Sequence, residues 1–371
     1  MLILLVFVIG YLAITLEHPL KLNKAATALL TGVLCWTIYV FTGDGVGFQT
    51  SLSHHISEIA GILFFLLGAM TVVELIDAHD GFDVITSRIT TVSRRKLLLI
   101  IAIISFLLSA VLDNLTTAIV MISLIRKLVN EEEDRWYFGG VIILAANAGG
   151  AWSPIGDVTT TMLWVGGQIT SMNIISKLIL PSIVSLAVPV AFLYWRMNGN
   201  FSKPEIAQTE MKINPTTSAE KNLVFITGII VLFFVPVFKA ITHLPPFMGI
   251  LLGLGILWIV TELIHKKKND EHKSALSVSG ALQRVDTPSI LFFLGILLAV
   301  SALDSAGYLH SLSAWMDSTF HNVNVITLLI GLASAIVDNV PLVAAAQGMY
   351  PLEVFSTDHY FWEFLAYCAG T

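Results

Sequence analysis

Ser109-Ala-Val-Leu-Asp113-Asn114 is written again 225 positions later as Ser334-Ala-Ile-Val-Asp338-Asn339. Each copy sets an ionisable carboxylate in the middle of an apolar segment of roughly thirty residues. A carboxylate at membrane depth costs at least ~2.5 kcal/mol, so by default it marks a functional pathway. Two such sites in matching places of two half-chains are the expected mark of a transporter built from internal repeats.

Composition agrees with that reading. Of 371 residues, 56% are hydrophobic and 12% charged, and the mean hydropathy is +0.81. A soluble domain carries about 25% charged residues, so the chain is expected to be an integral membrane protein with many spans. The first sixteen residues lack a basic start and an A-x-A-like cleavage site and read as a span rather than a signal peptide. Cys35 and Cys368 lie in apolar stretches and read as inert small hydrophobes. No basic run interleaved with aromatics points to nucleic acid.

Apolar runs of span length cover Leu2–Leu16, Lys24–Phe41, Ile56–Ile76, Lys96–Leu128, Phe138–Gly167 with an interruption, and Leu178–Trp195. After a polar linker the pattern restarts at Leu223–Phe238, Met248–Ile264, Ser289–Leu303, Val325–Tyr350 and Phe361–Thr371. The run from Lys96 to Leu128 is too long for one crossing and has basic residues at both ends: Arg94, Arg95 and Lys96, then Arg126 and Lys127. A segment that enters and leaves on one side is a re-entrant hairpin, with Asp113-Asn114 at its tip facing a cavity. With the amino terminus outside, 18 of the 20 Lys and Arg residues fall in cytoplasmic loops, and only Lys177 and Lys239 lie outside. That is the asymmetry the positive-inside rule asks for.

The first half then crosses five times, so the second half starts from the opposite face. The expected fold is an all-α polytopic membrane protein of two inverted-topology repeats, each with a re-entrant hairpin and a broken helix. The expected divisions are a first repeat at 1–197, a cytoplasmic linker at 198–221 and a second repeat at 222–371. Ile62-Leu-Phe-Phe-Leu-Leu-Gly68 resembles Ile290-Leu-Phe-Phe-Leu-Gly295, Asp77 falls opposite Asp304, and Ala148-Gly149 answers to Ala369-Gly370. By that pairing the second repeat is expected to lack its last crossings.

The fifth apolar segment is interrupted by Asn147-Ala-Gly-Gly-Ala-Trp-Ser-Pro-Ile-Gly-Asp157-Val-Thr-Thr-Thr. Glycine and proline unwind a helix and free its carbonyls, and the next half-helix starts with its positive end pointing into the gap. Asn147, Ser153, Asp157 and Thr159 line that gap with oxygens. The hairpin tip adds Asp113, Asn114, Thr116 and Thr117. Carboxylate, hydroxyl, amide and carbonyl oxygens are the ligands of hard cations such as Na⁺. Asp113, Asp157 and Asp338 each precede a helical run and also read as N-caps, a role compatible with ion binding. Pro341 suits the first turn of the helix that Asp338 caps.

Other polar residues carry weaker signals. Glu58 and Glu74 lie near the ends of the third span, within reach of water. Asp77, His79, Asp80 and Asp83 sit in a basic loop and are expected to be solvated. His54 and His55 are expected at the outer surface, where histidine also suits pH sensing. Asp286, beside Arg284, reads as a helix start or part of the cytoplasmic mouth. Trp136, Tyr137, Tyr194 and Trp195 read as interface anchors.

At these residues the chain resembles the NhaD family of sodium/proton antiporters, within the ion transporter superfamily that also holds arsenite and dicarboxylate carriers. The resemblance runs from Glu17-His-Pro-Leu-Lys-Leu-Asn-Lys-Ala-Ala-Thr-Ala-Leu through Asp113-Asn114 and the Asn147 stretch to Asp338-Asn339, so it covers essentially the whole chain. It implies exchange of internal Na⁺ or Li⁺ for external protons, with Asp113, Asn147, Asp157, Thr159, Ser334 and Asp338 as the matching positions. With Asn114, Thr117, Ser153 and Asn339 these form the expected ion-binding and proton-coupling set, and Na⁺ is expected at Asp113, Asn147, Asp157 and Thr159. No cofactor, no catalytic residue and no nucleic-acid partner is expected. The expected partners are small cations, the lipid bilayer and a second copy in a homodimer, in the inner (plasma) membrane. An anion carrier of arsenite or a dicarboxylate is the alternative on the same fold. It would need tips free of fixed carboxylates, since these repel a bound one. A membrane-embedded aspartic hydrolase would need two carboxylates sharing a proton, and nothing here resembles its motif.

Overall fold

A computed structural model describes residues 1–42, 47–86, 89–202, 216–266, 268, 270–335 and 337–371. Arg88 and most of the 198–221 linker, with Lys203, Pro204, Lys212 and Pro215, lie outside the described residues, as does Lys267. Among the described residues the regular structure is helical, with one isolated antiparallel bridge between Ser93 and Asn200. Among the described residues seven helices are long and apolar enough to cross a membrane: Lys24–Thr42, Phe48–Ala78, Arg94–Leu112, Ser171–Arg196, Ser218–Thr242, Pro246–His265 and Thr287–Ser305. The chain is a multi-pass membrane protein. Helix Leu2–Thr15 is shorter but equally apolar.

The chain gathers into two compact units that interleave along the sequence. One holds Met1–Leu66, Thr161–Asn173 and Asp286–Gly370, and the other Leu67–Thr160 and Ile174–Val285. In the first, helix Lys24–Thr42 lies against Thr287–Ser305 with their backbones almost touching. A Cβ on Gly32 would meet the Gly295 carbonyl oxygen at 2.5 Å, and one on Gly295 would meet the Ala28 carbonyl carbon at 2.4 Å. Small residues four apart on a helix permit such contact, which in lipid replaces the hydrophobic drive that water supplies elsewhere.

In the second unit the long Lys96 run is two helices, Arg94–Leu112 and Asn114–Leu128, broken at Asp113. Both ends of the pair are stitched to one short stretch. The Phe201 amide donates to Val92 and the Arg94 amide to Gly199, while the Asn130 amide donates to Ser202. The Ser202 hydroxyl donates to Glu131 at 2.6 Å, and its amide does so at 2.8 Å. These two donors hold the half-buried Glu131 carboxyl below its ordinary range, the hydroxyl contributing more. Arg94 closes the base by donating to the buried Asp134 at 2.7 Å. A segment whose two ends meet the same four-residue stretch, Gly199–Ser202, has turned back on itself, so it is a hairpin with Asp113 at the turn.

The second copy of the motif does the same in the first unit. Helix Val323–Ser334 and helix Asn339–Met349 flank Asp338, and the Tyr350 hydroxyl at the far end donates to Asp317, just before the start, at 2.9 Å. The fifth apolar segment is likewise two helices, Glu132–Ala151 and Val158–Val165, separated by an irregular stretch. Glu132–Ala151 packs against both hairpin helices of its unit.

That packing depends on Gly149, where a Cβ would lie 2.2 Å from the Phe106 carbonyl oxygen. Overpacking a tight helix contact costs about 1–3 kcal/mol. Gly149→Ala should therefore lower the thermal unfolding midpoint of the detergent-purified protein. Gly140→Ala on the same helix, where nothing lies within 4 Å and alanine is the better helix former, should hold it steady or raise it.

Candidate functional site

The backbone at Asp113 is forced into an unusual shape. Its φ of 96° and ψ of 158° fall in a region that is essentially restricted to glycine, at a cost of roughly 1–3 kcal/mol. Such strain persists only where the surroundings over-determine it, and at this position the chain must reverse and start a helix at once. The Asp113 side chain caps that helix: Oδ1 accepts from the Thr116 amide at 2.8 Å and Oδ2 from the Thr116 hydroxyl at 2.9 Å.

Asp157 is placed by the same logic. The helix Glu132–Ala151 ends where Gly150 and Gly156 stack so closely that a Cβ on Gly150 would meet the Gly156 carbonyl oxygen at 2.4 Å. Ser153 fastens the loop to the hairpin by donating to the Ala110 carbonyl at 2.5 Å, and Ser109 answers by donating to Ala146 at 2.5 Å. The chain then restarts as helix Val158–Val165. Asp157, 2% exposed, stands at its start, and Oδ1 accepts from the Thr159 amide at 2.7 Å and the Thr159 hydroxyl at 2.6 Å. Helix-start amides and the helix dipole favour a negative charge there.

One side chain joins the tip to the break. Asn114 Nδ2 donates to Asp157 Oδ2 at 2.8 Å and to Asn147 Oδ1 at 3.2 Å. Asp113 precedes Asn114 in the chain, so Asp113, Asn114, Asn147, Asp157 and Thr159 form one cluster of oxygens around an amide bridge. Thr117, one turn into the second helix of this hairpin, is fully buried, and among the described residues its hydroxyl has no hydrogen-bond partner. An orphaned buried hydroxyl on the helix that Asp113 caps suits an oxygen-seeking cation. Ser153 belongs to the loop's anchorage, since its hydroxyl is taken up by Ala110.

The second motif lies in the other unit. Asp338 Oδ1 accepts from the Val340 amide at 3.2 Å, capping helix Asn339–Met349 as Asp113 caps its own. Pro341 is buried in the first turn of that helix. Asn339 Nδ2 donates to the Ala369 carbonyl at 3.2 Å, so here too the asparagine of the pair ties the hairpin to the next helix. Ser334 is half-buried at the end of the preceding helix. All three aspartates are thus N-caps, and the capping reading and the ion-site reading describe the same atoms.

Several other expectations change. His79 is not solvated but fully buried, with Nδ1 against the Leu75 carbonyl at 2.6 Å and Nε2 against His265 Nε2 at 2.7 Å. It falls just past the end of helix Phe48–Ala78, where the turn folds it back onto helix Pro246–His265. No local signal marks that pairing, because it joins residues 186 apart. His55 is less exposed than its neighbour His54 and stands between Glu58 at 3.6 Å and Asp304 at 3.8 Å. These residues line a cavity of about 370 Å³ that also reaches Gln168 and Gln347. Asp286 is a helix start, accepting from the Ser289 amide and hydroxyl. Trp136 and Trp195 are 76% exposed, as anchors at a lipid interface would be in the isolated protein. Cys35 and Cys368 are free.

Apolar spans, two hairpins that turn at an aspartate, and a helix broken around a buried carboxylate define the protein as a polytopic membrane protein with the architecture of the transporter class. Residues 5–370 match the family described as Citrate transporter, and the chain belongs to that family. Among its relatives, sodium/proton antiporter 1 of Arabidopsis thaliana is 50% identical over 370 residues, covering 99% of this chain and 63% of the relative. Sodium/proton antiporter 2 of the same plant is 46% identical, covering 99% of this chain and 87% of the relative. The Na⁺/H⁺ antiporter NhaD of Vibrio cholerae is 30% identical, covering 94% and 77%. The chain therefore spans under two thirds of the first of these and more of the other two. The resemblance to the NhaD family holds across the whole chain.

Asn114 makes a direct prediction. Asn114→Asp replaces the donor to Asp157 with a second carboxylate at the same distance. At low pH one of the two can hold a proton and bridge; when both are ionised they repel. The stability deficit relative to the wild type should therefore grow as pH rises, read as the difference in unfolding midpoint across a pH series.

Proposed function

We propose that the chain exchanges cytoplasmic Na⁺ or Li⁺ for external H⁺. The observation that carries this reading is the Asn114 bridge, which brings the broken-helix carboxylate of Asp157 to the hairpin tip beside Asp113. The names borne by the relatives support it. Na⁺ would be held by oxygens of Asp113, Asn147, Asp157 and Thr159, with Asn114 and Thr117 completing the cluster. Every one of these is a hard ligand.

Sodium needs the carboxylates ionised, and a proton bound there removes the charge that holds the metal. The two cations therefore take turns. If the protein reorients when loaded with either and stays put when empty, that competition alone yields exchange. The inverted-repeat organisation expected from the sequence belongs to the same proposal. No chemical bond in a substrate is made or broken in this scheme, so the protein acts as a carrier and not an enzyme. The distribution of Lys and Arg supports an outside amino terminus, and placement in the plasma membrane and a homodimer are part of the same proposal.

The family description names citrate, which supports the anion-carrier reading. A citrate site, however, would set three carboxylates against those of Asp113 and Asp157. Neutral helix starts serve an anion better than acidic ones. The cation reading is the stronger on that ground.

Asp157→Asn keeps the size of the side chain and removes its charge. In everted membrane vesicles carrying a preformed proton gradient, wild type should dissipate the gradient on addition of Na⁺ or Li⁺, and Asp157→Asn should lose that response by at least about tenfold, the loss expected for roughly 1.4 kcal/mol or more. An unchanged response removes Asp157 from the exchange, and citrate uptake without sodium-dependent proton movement favours the anion carrier.

A further inference from the structure

The stretch Glu17-His-Pro-Leu-Lys-Leu-Asn-Lys24 is part of what makes the chain resemble its relatives, yet the exchange cluster uses none of it. Its last residue opens the helix Lys24–Thr42 and sends its ammonium to the second hairpin. Lys24 Nζ stands 3.4 Å from Asp338 Oδ2 and 4.5 Å from the ring centre of Phe292 on helix Thr287–Ser305. The other oxygen of Asp338 is taken by the Val340 amide, and the Asn339 amide group is turned away to Ala369. Both oxygens of the second tip are engaged, one of them by a full positive charge.

The first tip is built from the same motif with different charge. Asp113 accepts from the amide and hydroxyl of Thr116, which are neutral donors, and among the described residues it is in no ion pair. One Asp-Asn tip thus stands ready for a cation, and the other already has one attached to the chain.

Resting on the exchange reading, we propose that Lys24 is a tethered cation that fills the cation position of the second hairpin, so that Asp338 takes no transported sodium. An ammonium and a sodium ion both seek carboxylate oxygen, and two like charges cannot share one carboxylate at about 3–4 Å without strong repulsion in a weakly screened site. The Phe292 face adds an attraction for the ammonium that a hydrated sodium ion would not share fully. The pair sums to zero, so this hairpin can move within the bundle without dragging an unbalanced charge through lipid. Lys24 is in these terms a positioning residue that restricts exchange to the Asp113–Asp157 cluster.

The test is equilibrium binding of radioactive sodium to the full chain, purified in detergent, at alkaline pH, with thermal unfolding as the check on folding. Wild type should saturate at one sodium per chain. Lys24→Met should double the bound sodium by releasing the Asp338 carboxylate, and Lys24→Met with Asp338→Asn should return it to the wild-type value. Lys24→Gln, which keeps a donor for Asp338, gives the same reading should the methionine variant not fold. A folded Lys24 variant that still binds one sodium, or a wild type that binds two, overturns the proposal. A wild type that binds none overturns the exchange reading itself and this assignment with it.

Discussion

A carboxylate inside an apolar helical bundle must be satisfied by something other than water, and the fold can be read as the solution to that requirement repeated three times. Burying an ionised group without partners is prohibitive, and a lone backbone break at membrane depth is equally costly. Each problem answers the other here. Breaking a helix exposes fresh amides at the start of the next one, and an aspartate placed there accepts them. Asp113, Asp157 and Asp338 each do so, through Thr116, Thr159 and Val340. The break thus both creates and accommodates the charge, and the charge makes the break useful.

From that constraint the surrounding architecture follows. Helix Glu132–Ala151 must come close enough to the hairpin for Asn114 to reach both Asn147 and Asp157, and only glycine at 149 lets the backbones approach so far. Ser109 and Ser153 lock the two segments by donating to carbonyls that the break leaves available. At the other end of the hairpin the polar base around Arg94, Asp134, Glu131 and Ser202 fixes where the hairpin enters. The second hairpin keeps the cap and the asparagine tie but adds Lys24, so one motif serves two electrostatic purposes.

Much of this was legible in the sequence because it is local. The repeat of Ser-Ala-x-x-Asp-Asn, the length of the Lys96 run and its basic ends are enough to place a hairpin turn at Asp113. Glycine and proline around residues 149–156 are enough to place a broken helix. What could not be read was pairing across long separations. Lys24 lies 314 residues from Asp338, and no periodicity in either segment links them. His79 looked solvated because its neighbours Asp77, Asp80 and Asp83 are charged, and only the return of helix Pro246–His265 buries it. The bridging role of Asn114 was likewise invisible, since an asparagine beside an aspartate reads as a second ligand until the partner helix is in place.

The central claim is that a metal cation and a proton compete for one cluster of carboxylates. It is tested most directly by adding NaCl to the detergent-purified protein in weakly buffered solution and following the pH, with choline chloride as the control for ionic strength. The account predicts saturable release of protons on sodium addition, shrinking at a pH high enough to have stripped the cluster beforehand. Sodium binding that releases no proton at any pH would contradict it.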